Sequence, residues 1–260
     1  MASAPNPGLP LFYNELTPLS SNIHGEWRTR TVQGAPFVKN IHAIPLLAEE
    51  FIPAQRCYPI VFSIGDNPVP LALMGLNEGV NVFADENGAF PDHIYVPAYV
   101  RRYPFMLARL RPEAEELSLC FDPTSEALGP FDEGAKLFDG DQPSEQTKSI
   151  LGFCESFEQA AQTTSAFLQE LKSNDLLIDG EAAIQVDGQP QPYVYRGFQT
   201  VSEDALKNIR GDLARRWMQN GLLPLVYAHL FSLGHMTMIF ARQMQQGKVP
   251  PQVQPVPMGA

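Results

Sequence analysis

Basic residues are scarce in this 260-residue chain: 18 lysines and arginines face 29 aspartates and glutamates, a formal net charge of −11. A phosphate backbone is bound through a basic footprint, so nucleic acid is excluded as the expected partner. Cysteine is rarer still. Cys57, Cys120 and Cys154 are odd in number and show no CxxC spacing, which indicates neither a disulfide framework nor a zinc site and fits a reducing compartment. The opening MASAPNPGLPLFYNEL has no basic n-region and no apolar h-region, so no standard secretory signal is read there. The expected location is cytoplasmic, with envelope association by a non-standard export route as the alternative. Long apolar runs are limited to Leu222–Phe240, which contains Pro224, His229, Ser232, Gly234, His235 and Thr237. Such residues are costly in lipid, so the run is read as a buried core helix and no membrane insertion is expected. Chemical signatures are missing as well. There is no Walker loop, GxGxxG, HExxH or GxSxG, and phosphate cradles, zinc peptidase sites and serine-hydrolase elbows therefore lack support. No cofactor is implied.

What is abundant is proline, 24 residues, alongside 44% hydrophobic residues that can fill a core. Frequent proline breaks the first half into short strands. Tyr58–Ile64 and Val69–Leu76 are apolar runs of strand length around the turn cluster Gly65-Asp66-Asn67-Pro68. Asn81–Ala84 and Ala89-Phe90 flank Asp85-Glu86-Asn87-Gly88 as a predicted hairpin, followed by predicted strands at Ile94–Val100, Phe105–Leu110 and Glu116–Phe121. From Ser144, a predicted N-cap, apolar residues recur at three- and four-residue steps through Leu171, one face of a long amphipathic helix. A hairpin over 182–196 turns at Asp187-Gly188, and Pro190 and Pro192 place its return strand at a sheet edge. Helices are predicted from Ser202 to Gln219 and from Leu222 to Gln246. The expected fold is α+β: a β-rich part over 1–143, sandwich-like or a partly closed barrel, packed with a helical part over 144–260 that contains the one hairpin. The two parts are expected to form one compact unit.

The acidity is local. Residues 1–110 carry 9 acids and 7 bases (−2), 111–191 carry 17 and 4 (−13), and 192–260 carry 3 and 7 (+4). The acidic middle is either solvated surface or the electrostatic match of the basic residues on either side of it.

Against that background the segment Tyr95-Val-Pro-Ala-Tyr99-Val-Arg101-Arg102-Tyr103-Pro104-Phe105 carries the most chemistry, three tyrosines with two adjacent guanidinium groups. Strand alternation would send Arg101 and Arg102 to opposite faces, one inward and one to water. A buried arginine requires a carboxylate or a ligand anion. Arg101, Arg102, Tyr99, Tyr103 and Tyr58 are thus candidates for an anion- or carboxylate-binding pocket. The competing reading is an arginine–carboxylate clamp between the β-rich part and the acidic middle. His24, His42 and His93, with Asp92 or Glu26, could supply a two-histidine, one-carboxylate metal site, although no spacing demands it. His229 and His235 are six apart and cannot share a helix face, and His235 is read as a hydrogen-bonded core histidine beside Tyr227 and Phe231. Asp139-Gly-Asp141 with Glu145 lacks the calcium-loop spacing and reads as an acidic turn before a helix. Cys57, next to Arg56, has no sequence neighbour able to act as its base, and Cys154 lies on the apolar helix face.

The order Leu11-Phe12-Tyr13, Leu16-Thr17-Pro18-Leu19, His24, His42-Ala-Ile-Pro45-Leu46, Glu50-Phe51, Tyr58-Pro59-Ile60-Val61-Phe62 and then YVPAYVRRYPF resembles the bacterial SapC family. Gly221-Leu222-Leu223, Tyr227-Ala228-His229-Leu230 and Ser232-Leu233 are similar to its C-terminal helix. The resemblance implies association with a surface layer in one bacterial group. In others it implies loci holding TonB-dependent receptors, halogenase-like and cupin-like proteins. It supplies no catalytic residues. A peptide-transport permease of the same name crosses the membrane several times, a property this chain does not share by its sequence.

The expectation is therefore a non-catalytic binding or accessory protein of envelope, uptake or peptide-modification loci, acting through a protein or peptide partner. The alternatives are an enzyme or ligand-binding protein with an anion pocket at YVPAYVRRYPF, and a metal-dependent oxygenase using His24, His42 or His93.

Overall fold

The computed structural model describes residues 8–111 and 116–249. Its central sheet has five strands drawn from both ends of the chain. In chain order these are β3 (Ala43–Pro45), β4 (Ile60–Phe62), β5 (Pro70–Leu73), β12 (Leu177–Ile184) and β13 (Tyr193–Val201), after β1 (Thr17–Pro18) and β2 (Arg28–Thr29). The spatial order is β12-β13-β4-β5-β3, antiparallel throughout. Ile60, Val61 and Phe62 are all buried, as a near-continuous apolar strand requires when both of its faces are covered. A three-stranded sheet joins β1 to β7 (Ser118–Phe121) and β6 (Phe105–Ala108). Another sets β2 between β8 (Leu128–Gly129) and β9 (Ala135–Lys136), and a two-stranded ribbon pairs β10 (Phe138–Asp139) with β11 (Gln142–Pro143). The fold is α+β, and none of these sheets closes into a barrel.

Helix α4 (Glu145–Ser173) is the longest element, after the short helices α1 (Ser21–His24), α2 (Phe51–Ala54) and α3 (Ala98–Arg102). Ser144 caps α4, its Oγ accepting a hydrogen bond from Thr147 N, and Glu145 sits in the first turn where the helix dipole favours an anion. Its buried stripe runs Cys154, Phe157, Ala160, Thr164, Phe167, Leu168 and Leu171. Cys154 reaches a small core around Phe105, Phe121 and Leu137, while the later residues enter the main core with Phe51, Phe62, Leu176 and Trp217. One helix face thereby links both cores.

The structure corrects several sequence expectations. The hairpin is longer than 182–196, and its return strand β13 lies between β12 and β4, not at an edge. Pro190 and Pro192 precede Tyr193, so no ladder hydrogen bond is lost to them. The turn at Asp85–Gly88 exists, with Asp85 Oδ1 accepting from Asn87 N and Ala89 N, but no strands flank it. Asn81 Oδ1 takes the amides of Phe83 and Ala84 instead. Gly88 adopts φ 75°, and a side chain there would run into the Ala35 carbonyl. Residues 94–100 are not a strand: they lead into α3.

The two C-terminal helices become four. They are α5 (Glu203–Lys207), α6 (Gly211–Gln219), α7 (Leu222–Ser232) and α8 (His235–Gln245). The apolar stretch expected as one buried helix is interrupted at Leu233-Gly234, and its outer face, with Tyr227 and Phe231, is exposed. Taken as a single stretch, Leu222–Gln245 is long and apolar enough to cross a membrane, with 39% of its most apolar part buried in the fold. The core histidine is His229 and not His235. His229 is fully buried, whereas His235 is partly buried with Nε2 2.9 Å from the Gln55 carbonyl oxygen.

Candidate functional site

The YVPAYVRRYPF segment is organised by a carboxylate that the sequence does not place beside it. Glu50 is 3% exposed, and its Oε1 accepts hydrogen bonds from Tyr95 Oη and Ala98 N, both at 2.7 Å. Its Oε2 accepts from Leu47 N at 2.8 Å. An anion at the amide of Ala98 opposes the positive end of the first helical turn, which explains why the chain coils after Pro97 where a strand was expected. Burial and the Glu50 carboxylate push the Tyr95 hydroxyl up to about 12, so it stays a proton donor.

In α3 successive residues turn by about 100°, and the two arginines diverge as the strand reading expected, by a different geometry. Arg101 is exposed, with Nε donating to Val96 O at 3.1 Å and its guanidinium 5.3 Å from the centre of the Phe153 ring. Arg102 is 5% exposed. Its guanidinium lies 4.0 Å from the Phe157 ring centre and 4.9 Å from that of Tyr99. Its Nη1 meets Glu158 Oε1 at 3.4 Å, and its Nε has no hydrogen-bond partner among the described residues. The arginine–carboxylate clamp to the acidic middle therefore exists. It is a long ion contact, supplemented by the Tyr13 and Tyr99 hydroxyls, and Glu158 keeps 35% of its side chain in solvent.

Arg101 and Arg102 also line a cleft of about 420 Å³, together with Arg30 from the loop after β2 and with Gln146, Ser149 and Cys154 of α4. Arg30 Nε donates to the Glu126 carbonyl at 2.8 Å, and its guanidinium covers the Phe131 ring at 4.3 Å. Three arginines thus line one opening in an acidic chain, Arg30 with a 4.0 Å contact to Glu126 Oε2 and Arg101 turned toward Val96 O and the Tyr95 hydroxyl. Burial pushes the Cys154 thiol up to about 11, which keeps it protonated and a poor nucleophile.

The other candidates scatter. Tyr99 is buried beside Arg102, and its hydroxyl points to Leu11 O at 3.4 Å. Tyr103 borders the cleft, but its hydroxyl donates to Asp122 Oδ2 at 3.4 Å, and burial raises its pKa. Asp122, fully buried, also accepts from Asn14 N and from Thr124 N and Oγ1. Tyr58 lies outside the cleft: it is fully buried on Phe83 and donates to Tyr95 O at 2.6 Å. Arg30, Glu50, Phe157 and Glu158 were missed by sequence reasoning. Glu158 could have been found as the acidic residue next to the Phe157 position on the helical stripe.

The histidines do not converge on a metal site. Among the described residues no group of three or more His, Cys, Asp or Glu is placed to hold a metal ion. His24 is buried against Trp27 and Phe121, while His42 offers its carbonyl to Met74 N and Gly75 N. His93 sits by Cys57, whose Sγ lies 3.9 Å from the His93 carbonyl oxygen.

A family model, SapC, matches residues 19–239. The chain belongs to the SapC family. No curated protein and no solved structure was found to match it. The SapC match encloses β2 with Arg30 nearby, the Glu50 anchor, the YVPAYVRRYPF segment, the whole of α4 and most of the C-terminal helices. Every SapC residue assembled at the cleft lies within it.

Proposed function

We propose that this SapC-family chain is a non-catalytic binding protein that takes a carboxylate of a protein or peptide partner in the Arg30–Arg101–Arg102 cleft. The observation that carries the proposal is Arg102, which lines the cleft with one ion contact, at 3.4 Å, and a buried Nε unpartnered among the described residues. A buried cation whose one carboxylate partner is distant and partly in water gains from a second anion, and a carboxylate matches the planar fork of arginine. Arg101 and Arg30, both more exposed, add charge-assisted donors for the same carboxylate. A binding role is favoured over catalysis because several groups that could act as bases or nucleophiles are committed elsewhere. His229 is bonded on both ring nitrogens, and the Cys120 and Cys154 thiols are raised by burial. By its family the chain would serve envelope, uptake or peptide-modification loci as an accessory.

Calorimetric titration of the full chain with a short peptide ending in two aspartates tests this proposal, the same peptide with its carboxyls amidated serving as control. Binding of the acidic form alone is expected, weakened at least tenfold by Arg101→Gln combined with Arg30→Gln, since hydrogen bonds to charged groups contribute about 1.5–3 kcal/mol. Equal affinity for both peptides, or no loss in the double variant, would sink the proposal.

A further inference from the structure

A second cavity, of about 340 Å³, lies farther along α4, beyond the Tyr99 and Phe157 rings that enclose Arg102. Phe157, Ala161, Leu168 and Lys172 follow one another along its helical wall at steps of four, seven and four, a single face about 22 Å long at 1.5 Å per residue. Across from α4 stand Leu46, Leu47 and Val69. The backbone amides of this wall and the Thr164 hydroxyl are already paired. Leu46 N donates to Pro70 O, Leu47 N to Glu50, and Val69 N to Ser63 Oγ. Thr164 Oγ1 accepts from Ala48 N and donates to Ala160 O. Pro45, Pro68 and Pro70 have no N–H to offer. An occupant therefore finds no free backbone donor at these positions and must bury hydrocarbon.

The rim differs from the floor. Ser165, Gln169 and Lys172 are exposed there, and Lys172 Nζ donates to the backbone carbonyl of Asp66 at 2.7 Å. Among the described residues no carboxylate forms an ion pair with Lys172, and Asp66 is the sole acid lining the cavity. We propose that this cavity binds an unbranched aliphatic carboxylate, with its chain along α4 and its head group at Lys172. The site is separate from the arginine cleft, where the ligand is held by charge.

The test is calorimetric titration of the full chain with hexanoate, octanoate and decanoate below micellar concentration, with decanol as the uncharged probe. Affinity should rise about fourfold per added methylene, the factor equivalent to ~0.8 kcal/mol per buried CH₂. Lys172→Met should weaken decanoate about threefold and leave decanol unchanged, while Asp66→Asn tightens decanoate. Ala161→Phe fills the cavity and should abolish both. Ser165→Trp, at an exposed position, closes the mouth without entering the core and should do the same if Ala161→Phe fails to fold. The Arg30→Gln, Arg101→Gln variant should keep decanoate binding, which separates this site from the carboxylate cleft. Absence of saturable decanoate binding overturns the proposal. So does binding that survives Ser165→Trp but is lost with Phe231→Ser on the exposed face of α7, because that locates the chain elsewhere.

Discussion

His229 and Arg102 are both large, polar and buried, yet they are compensated in opposite ways. His229 Nδ1 lies 2.7 Å from Ile60 O and Nε2 lies 3.0 Å from Val201 N and 2.9 Å from Thr200 Oγ1. A backbone N–H can only donate, so Nε2 accepts, Nδ1 carries the proton, and the neutral tautomer is fixed by the fold. Every ring nitrogen is used to tie α7 to β4 and β13. Among the described residues Arg102 has one ion contact, at 3.4 Å, and an Nε without a hydrogen-bond partner. Complete compensation marks a structural joint, and incomplete compensation marks a group that an incoming anion can still improve.

The contrast can be broken most forcefully at His229. His229→Ala leaves the Ile60 carbonyl and the Val201 amide unmatched and opens space beside Phe62, and should cost about 4 kcal/mol of stability, read as a lowered urea midpoint at constant slope. Acid offers a subtler probe of the same joint. Burial lowers the His229 pKa to about 4 from an ordinary 6.5, so the unfolded chain takes up its proton first. Stability attributable to the neutral ring is then complete above pH 6.5 and declines as pH falls toward 4, by about 3 kcal/mol in all. His229→Gln should flatten that part of the stability profile, and an unchanged slope in the variant would remove His229 as its source.

Smaller effects are expected around Arg102. Glu158→Ala strips the buried cation of its ion contact and should cost about 2 kcal/mol, less than a fully buried pair because Glu158 is partly in water. Arg102→Met keeps the bulk between Phe157 and Tyr99 and removes the charge that needs compensation. Thermal unfolding should place it within about 1 kcal/mol of the parent chain, while acidic-peptide binding is lost. If Arg102→Met proved as damaging as His229→Ala, the distinction between the two sites would collapse.

Much of the frame was legible in the sequence. The Ser144 cap and the stripe through Leu171 gave α4, because a helix imprints its period on the residues that it buries. The Asp187-Gly188 turn and the apolar runs around Ile60 and Pro70 located their strands for comparable local reasons. What escaped depends on distant partners. Nothing local links Glu50 to Ala98 or Arg102 to Glu158, and those contacts decide the coil at Pro97 and the state of the buried cation. The histidine assignment reversed because the Tyr227-Phe231 face to which His235 was assigned is the exposed face of α7, whereas His229 lies on its buried face. The acidic middle divided between its two readings. Glu158 meets Arg102, Glu170 meets Arg216 and Trp217 Nε1, and Glu181 meets Arg196. The exposed members of those pairs each contribute little.

Helix α4 carries contacts of both cavities along a single face, from Gln146 to Lys172. It therefore behaves as a ruler with two marks. One residue inserted between Glu158 and Ala161 would advance the far mark by 1.5 Å and rotate it by 100°, turning Leu168 and Lys172 off their wall while leaving Cys154 and Glu158 in place. Divergence within the family should accordingly change the residues along this segment of α4 far more readily than it changes their number.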